Sequence, residues 1–373
     1  MRVVYDGAIF SMQRVGGISR YFSALFNYLP DDVDASLLAM SGSNLHLDRS
    51  YPRLRVLPIM GTSLPKLMSP VQRWLDRKKV NRIDAGLDAE IAHWTYYVGL
   101  QRRPVQRKRG CVQVVTVYDL IHEIFPETDR SGREVGWKRQ ALNEADLIIC
   151  ISETTLRDLK NWYPDVASRA IAIPLGNPIE GVTAAAVPPH LCSRPFVLFV
   201  GGRSGYKNFG VVASAWQEAR QRHPQLQLVL VGSKMKAEEI ARWRLSNAGV
   251  NLHQLGHVDD NVLAGLYRAA AAFVFPSKYE GFGLPAVEAM SCSSLLLAAT
   301  GGSLPEVIGT GGVFFDPDSS EQLASLLCDA VDGASYLSSV RKDGLERSKL
   351  YSWKSTAAQT YAAYRDAIQT SGV

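Results

Sequence analysis

With 373 residues, 46% of them apolar and 21% charged, the chain is long enough for two domains with their own cores and has the composition of an ordinary globular protein. Five scattered cysteines without a CxxC pair exclude a disulfide framework and point to reduced thiols in the cytoplasm; no apolar run approaches the roughly 20 residues of a spanning helix, and the opening Met1-Arg2-Val3-Val4-Tyr5-Asp6 is too short an apolar run, too soon followed by an acid, to be a signal peptide. The net charge of +5 is uneven: between Lys66 and Arg109 eleven Lys and Arg face four Asp and Glu, a patch able to meet an anionic membrane surface or steer an anionic substrate, or simply to be a solvated face.

Residues 2–6 read as a first strand, and 11–19 as a loop carrying Gly16-Gly17. Ile18, Tyr21, Phe22, Leu25 and Leu29, three to four apart, predict a helix that stops at Pro30. A strand is expected at 33–40, irregular chain at 41–65 and a basic helix at 70–83. Short buried strands are expected at 90–94 and 112–117, with Asp119 and His122 just beyond the second. A helix at about 131–145, a strand at 146–151, a helix opened by the hydroxyl cap Ser152 and a last strand at 170–174 complete this half.

Pro and Gly at 174, 176, 178, 181, 188, 189 and 195 mark a linker, so domains are expected at 1–175 and 176–353, with a C-terminal helix at about 354–373 able to pack back on the first. The pattern restarts with a strand at 196–200 and the loop Gly201-Gly202-Arg203-Ser204-Gly205-Tyr206-Lys207-Asn208. Helices at about 211–223 and 262–270 alternate with strands at 226–231, 250–255, 269–275, 295–299 and 312–315. Such alternation means parallel βαβ units. The expected fold is α/β, two Rossmann-like doubly wound sheets facing a central cleft, where ligands meet the strand C-termini.

The stretch from Phe275 to Met290 carries the chemistry. A buried strand ends there in a polar loop whose Gly281 and Gly283 let backbone approach a ligand, and Pro285 is well placed as the first residue of a helix. Strand, glycine loop and helix N-terminus together hold phosphate. Glu280 and Glu288 bracket that anion site, which suits a sugar nucleotide. Arg203 and Lys207 flank the other glycine loop and can neutralise a diphosphate as it departs; alone they would read as surface cations. A nicotinamide or flavin oxidoreductase is disfavoured because no strand is followed by Gly-x-Gly-x-x-Gly. A non-catalytic sugar-nucleotide or polysaccharide-binding module is disfavoured by the presence of Glu280, Glu288, Arg203 and Lys207 together.

Arg203-Ser-Gly-Tyr-Lys207-Asn208, Phe275-Pro-Ser-x-x-Glu280-Gly-Phe-Gly-Leu-Pro-x-x-Glu288-Ala-Met and Ser303-Leu-Pro-Glu306-Val closely resemble glycosyltransferase family 4, a group of retaining, metal-independent enzymes of the two-Rossmann GT-B fold. Gly16-Gly17-Ile18-Ser19-Arg20-Tyr21, Val117-x-Asp119-Leu-x-x-x-x-Phe125-Pro126-Glu127 and Ser152-Glu153-x-Thr155 extend the resemblance over most of the chain. It implies that Glu288 binds the ribose hydroxyls and that Glu280 lies by the donor sugar and the reacting centre. The backbone of Gly281, Phe282, Gly283 and Leu284 would hold phosphate or sugar oxygens, Arg203 and Lys207 would stabilise the leaving diphosphate, and Gly16 and Gly17 would close over the donor. Asp119, with His122 and Tyr118, would serve the acceptor; many bacterial relatives have His where Tyr118 stands. Ser293 replaces a glycine usual in relatives, which is expected to tighten that turn.

The wording of the motifs is nearest to bacterial mannosyltransferases of surface-polysaccharide assembly, which implies GDP-mannose as donor, UDP-hexoses next. The acceptor implied is a saccharide or polyprenyl-linked saccharide at the inner face of the cytoplasmic membrane. No cofactor, metal or nucleic acid is expected.

Overall fold

The computed structural model describes residues 1–40, 44–47, 51, 53–59, 88–99, 103–104, 110–203, 205–245 and 249–371. The basic helix expected at 70–83, and most of the basic run from 66 to 109, lies outside them. The chain divides into two compact units, one of Met1–Gly176 with Trp353–Val373 and one of Asn177–Ser352. No described helix is long and apolar enough to cross a membrane.

The first unit is built on a seven-stranded sheet, in the order β3-β2-β1-β4-β7-β8-β9. Its strands are β1 (Arg2–Tyr5), β2 (Asp34–Met40), β3 (Leu54–Ile59), β4 (Ile91–Trp94), β7 (Val112–Val117), β8 (Leu147–Cys150) and β9 (Ala170–Ala172); β5 (Val98–Gly99) and β6 (Arg103–Pro104) pair apart as a small antiparallel ribbon. Every pairing in the main sheet is parallel. β4, β7 and β8 are buried at each residue, as central strands covered by helices on both faces must be, which is why they stand out as apolar runs. The strand order reverses between β1 and β4, so their C-terminal loops open at the topological switch point.

The second unit repeats the plan with six parallel strands in the order β12-β11-β10-β13-β14-β15. These are β10 (Phe196–Val200), β11 (Gln227–Val231), β12 (Leu252–Gly256), β13 (Ala272–Phe275), β14 (Leu296–Ala299) and β15 (Val313–Phe315). The reversal falls between β10 and β13, so the two loops bearing Lys207 and Glu280 flank the switch point. Helices Phe209–Arg222 and Ser320–Asp332 pack together over one face, burying Val212, Trp216, Leu323 and Leu327 completely.

The structure departs from the sequence-based expectations mainly at edges. Residues 41–65, expected to be irregular, contain β3; it lies at the sheet edge, where Pro58 is tolerated because its missing N–H need not meet a second neighbour. A five-residue helix, Ala8–Met12, occupies the start of the expected loop at 11–19. Helices Ala237–Arg242, Leu304–Ile308, Ser320–Asp332 and Leu337–Ser348 are additions to the expected set. The third had its signals in place: Ser319 Oγ accepts from Gln322 N–H at 3.1 Å, and Gly333 ends it at φ 72°.

Helix Trp353–Ser371 belongs to the first unit and completes its interior. Tyr364 Oη lies 2.5 Å from His93 Nδ1, His93 Nε2 lies 2.9 Å from Thr116 Oγ1, Tyr361 Oη donates to the Leu25 carbonyl at 3.2 Å, and Thr356 Oγ1 donates to the Pro174 carbonyl at 2.8 Å. His93 is fully buried on β4, and burial pushes its pKa down to about 3, so the ring is neutral. Where the chain first leaves this unit, a Cβ on Gly176 would stand 2.2 Å from the Trp353 backbone nitrogen; only glycine fits.

Candidate active site

In the second unit the chain leaves β13 at Phe275 and enters helix Leu284–Ser291 through Gly283, at φ 93°. A Cβ there would meet Leu304 Cδ2 at 2.7 Å and Phe275 Cε1 at 3.1 Å, so dihedral and space both require glycine. The helix starts at Leu284, and Pro285, placed first by the sequence, is its second residue, a position whose N–H no helix needs. Phe282 is buried edge-on against Tyr351, ring centroids 5.4 Å apart, which anchors the loop between Gly281 and Gly283.

The loop is clamped from two sides. Ser303 N–H and Oγ both donate to the Glu280 carbonyl at 3.0 Å. Gly302, at φ 58°, passes so close that a Cβ would stand 2.4 Å from the same oxygen. From the β10 side, Lys278 N–H donates to the Tyr206 carbonyl at 2.8 Å, and Asn208 Nδ2 donates to the carbonyls of Pro276 at 3.3 Å and Pro317 at 2.6 Å. With its backbone fixed, Glu280 meets Lys207: Nζ to Oε1 is 2.7 Å, the side chains 28% and 12% exposed. Glu288 lies a turn into the helix and is buried; its Oε2 accepts from Tyr267 Oη at 3.0 Å, so a wholly buried tyrosine sets the carboxylate's orientation.

Arg203, expected to stabilise the leaving diphosphate, is held in an internal fork. Its side chain is only 5% exposed and is forked onto Glu239, Nε to Oε1 at 3.1 Å and Nη2 to Oε2 at 3.2 Å, while Nη1 donates to the Ser233 carbonyl at 2.6 Å. The guanidinium holds the Glu239 carboxyl below the usual carboxylate range. Both expected diphosphate cations therefore carry an internal carboxylate partner. Glu239 and Tyr267 were not singled out by sequence; the one cue for Glu239 is its place in the first turn of helix Ala237–Arg242, where it accepts from Lys236 N–H at 2.8 Å.

In the first unit the loop after β1 leads to Gly16, whose backbone is extended, and Gly17 opens helix Gly17–Asn27. The Gly16 carbonyl accepts from Arg20 N–H at 3.1 Å and Ser19 Oγ at 3.0 Å. After β7, half-buried Asp119 accepts from Ile121 N–H at 3.1 Å and so shapes the start of helix Ile121–Ile124. His122 Nδ1 lies 2.8 Å from Thr128 Oγ1, whose hydroxyl donates to the Phe125 carbonyl at 2.7 Å. The threonine oxygen therefore accepts from Nδ1–H. Tyr118, expected at the acceptor, is instead buried: its hydroxyl donates to the Thr95 carbonyl at 3.2 Å and its backbone N–H to Tyr97 Oη at 3.1 Å. These two bonds hold it against the residues that follow β4.

Two doubly wound parallel α/β units, the second with clamped glycine loops, a Lys–Glu pair and a buried glutamate at its switch point, define a glycosyltransferase of the GT-B class. Solved structures agree on the fold: sucrose-phosphate synthase from Thermosynechococcus elongatus superposes with a TM-score of 0.73 at 20% identity over 99% of both chains. HepE from Anabaena, solved with UDP and glucose, gives a TM-score of 0.70 at 18% identity over 97% of this chain and 98% of its own. The model of Glycosyltransferase Family 4 matches residues 15–180 and that of Glycosyl transferases group 1 matches residues 188–345. The O-antigen chain mannosyltransferase B of Escherichia coli is 30% identical over 270 residues, 68% of this chain and 70% of that protein. The chain belongs to glycosyltransferase family 4.

Proposed function

We propose that the protein transfers mannose, with retention of configuration, from GDP-mannose to a hydroxyl of a saccharide or lipid-linked saccharide during assembly of a bacterial surface polysaccharide. The observation that carries this reading is the Lys207–Glu280 contact at the switch point, with Glu288 buried a turn further on. The likeness to the Escherichia coli O-antigen mannosyltransferase supports mannose. A UDP-hexose is the alternative donor, since HepE holds UDP and glucose on the same fold.

As the anomeric bond breaks, negative charge builds on the diphosphate and positive charge on the sugar ring. Lys207, the amides at the start of helix Leu284–Ser291 and the charge of Arg203 answer the first; Glu280 faces the second and holds sugar hydroxyls. A diphosphate competes with Glu280 for Lys207, which frees the glutamate for the sugar only when donor is bound. Glu288 takes the ribose. The acceptor oxygen attacks on the face the diphosphate leaves, its proton passing to the departing phosphate, with Asp119 and His122 binding the acceptor. The chemistry is proposed to be metal-independent, with the basic run from 66 to 109 holding the protein to the anionic inner face of the cytoplasmic membrane.

The test is a nucleotide-sugar panel read by thermal shift. A true donor at 100-fold over its Kd adds about 2.7 kcal/mol of stability. NMR of the product reads its anomeric configuration, and an inverted product overturns retention. Turnover abolished by EDTA overturns metal independence, and charge reversal within 66–109 that leaves binding to anionic liposomes unchanged overturns the membrane role. A Glu280→Ala protein that turns over normally would take Glu280 out of the reacting centre, and a wild-type protein that binds a nucleotide sugar without turning it over would restore the non-catalytic binding-module reading.

A further inference from the structure

Lys138 lies on helix Arg133–Glu144 between Trp137 and Arg139 and is completely buried. An ammonium survives burial only if its donors are met. Here Nζ donates to Glu123 Oε2 at 2.8 Å and to the Asp119 backbone carbonyl at 2.9 Å, and it lies 5.3 Å from the centroid of the Tyr97 ring. The other oxygen of Glu123 accepts from Tyr163 Oη at 2.7 Å. One satisfied network thus ties the loop after β4, the loop after β7, helix Arg133–Glu144 and the end of helix Glu153–Trp162.

A buried ion pair is a poor device for stability, because an apolar pair of the same volume does as well or better. What this pair does that an apolar one cannot is grip a peptide group, that of Asp119. The same residue's carboxylate accepts from Ile121 N–H, and one residue after Ile121 the His122 ring is fixed by Thr128. Both half-exposed groups of this loop hang on a backbone oriented by Lys138.

We propose that Lys138 and Glu123 are positioning residues that hold the 119–122 loop in the one arrangement that presents Asp119 and His122 to the acceptor saccharide. This rests on the transferase reading above. The ammonium grips the loop through the Asp119 carbonyl, and Tyr163 keeps Glu123 from turning away.

The test uses the full chain and the double variant Lys138→Met/Glu123→Leu, which replaces the pair with apolar side chains of similar size. Hydrogen exchange at residues 119–124 is expected to quicken at least tenfold, with β7 and β8 unchanged. Binding of the nucleotide sugar selected by the panel is expected to stay within twofold of wild type. Transfer to a mannose-terminated oligosaccharide is expected to fall at least tenfold in kcat/KM for the acceptor, with KM for the donor unmoved. A double variant with wild-type exchange at 119–124 and wild-type acceptor kcat/KM overturns the proposal. Should that variant not fold, Tyr163→Phe decides: a two- to fivefold rise in acceptor KM supports it, and an unchanged acceptor KM overturns it. Failure of the transferase reading shows separately, as a wild-type protein that takes up no nucleotide sugar.

Discussion

Acid is expected to weaken the first unit through His93. The ring is fully buried, both nitrogens have hydroxyl neighbours, and burial holds its pKa at about 3 against 6.5 for a free side chain. The folded pKa is the depressed one, so the unfolded chain binds the proton first. Stability from the neutral ring is whole above pH 6.5 and is lost as pH falls from there toward 3. Between pH 8 and pH 5 a 6.5-to-3 shift removes about 2 kcal/mol, a large share of the 5–15 kcal/mol typical of a domain. The assay is urea unfolding of wild type and His93→Gln at pH 8, 7, 6 and 5, with amide exchange in β4 as the probe specific to this unit. The variant is less stable at pH 8, having lost fitted hydrogen bonds, but the gap narrows by about 2 kcal/mol on going to pH 5 because glutamine does not titrate. Parallel losses in the two proteins, or a His93 imidazole signal that titrates near 6.5, would refute the reasoning.

Three further outcomes are expected. Glu239→Gln leaves the buried Arg203 charge uncompensated and destabilises the second unit by about 3 kcal/mol, but the thermal shift produced by a nucleoside diphosphate grows, because the ligand now supplies the missing anion; equal shifts in both proteins would show that Arg203 does not face the phosphates. Tyr267→Phe removes the hydroxyl that orients Glu288, at about 1 kcal/mol of stability and roughly fivefold in nucleotide affinity measured by calorimetry; unchanged affinity would take Glu288 out of the nucleotide site. Ser293 sits at φ 55°, so Ser293→Gly is expected to raise stability by about 0.5–1 kcal/mol without altering turnover, read by urea midpoint; no gain would mean the turn carries no strain.

The two parallel sheets were legible because their central strands are apolar on both faces: the expected strands at 112–117 and 196–200 coincide with β7 and β10. β3 was not legible, since Leu54-Arg55-Val56-Leu57-Pro58-Ile59 mixes a charge and a proline into a strand that only an edge position permits. In the site, Glu280, Glu288 and Lys207 are visible from sequence because glycine and proline punctuate the loops around them. Their governing partners are not. Arg203 and Glu239 are 36 residues apart, Tyr267 and Glu288 are 21 apart, and Lys138 and Glu123 are 15 apart. Lys138 beside Arg139, or Glu239 in Glu238-Glu239, looks like a solvated helix charge until the topology buries it or aims it at a partner. Tyr118 beside Asp119 gives no sequence cue that it is buried with its hydroxyl on the Thr95 carbonyl, 23 residues earlier.

The docking of helix Trp353–Ser371 on the first unit sets an order of events during synthesis. The second unit, Asn177–Ser352, is continuous in the chain and can close its core as soon as it leaves the ribosome. The first unit is begun first but finished last, because Tyr361 and Tyr364, both fully buried within it, are made more than 170 residues after the rest of its sheet is complete at β9 (Ala170–Ala172). Until then His93 Nδ1 lacks its Tyr364 hydroxyl, the Leu25 carbonyl keeps only its bond from Tyr28 N–H, and the apolar floor that the helix covers stays open to water and to other chains. The nascent protein is therefore most vulnerable in its N-terminal half. Termination at residue 352, after the second unit and before the helix, is expected to leave a finished second unit attached to an unfinished first one.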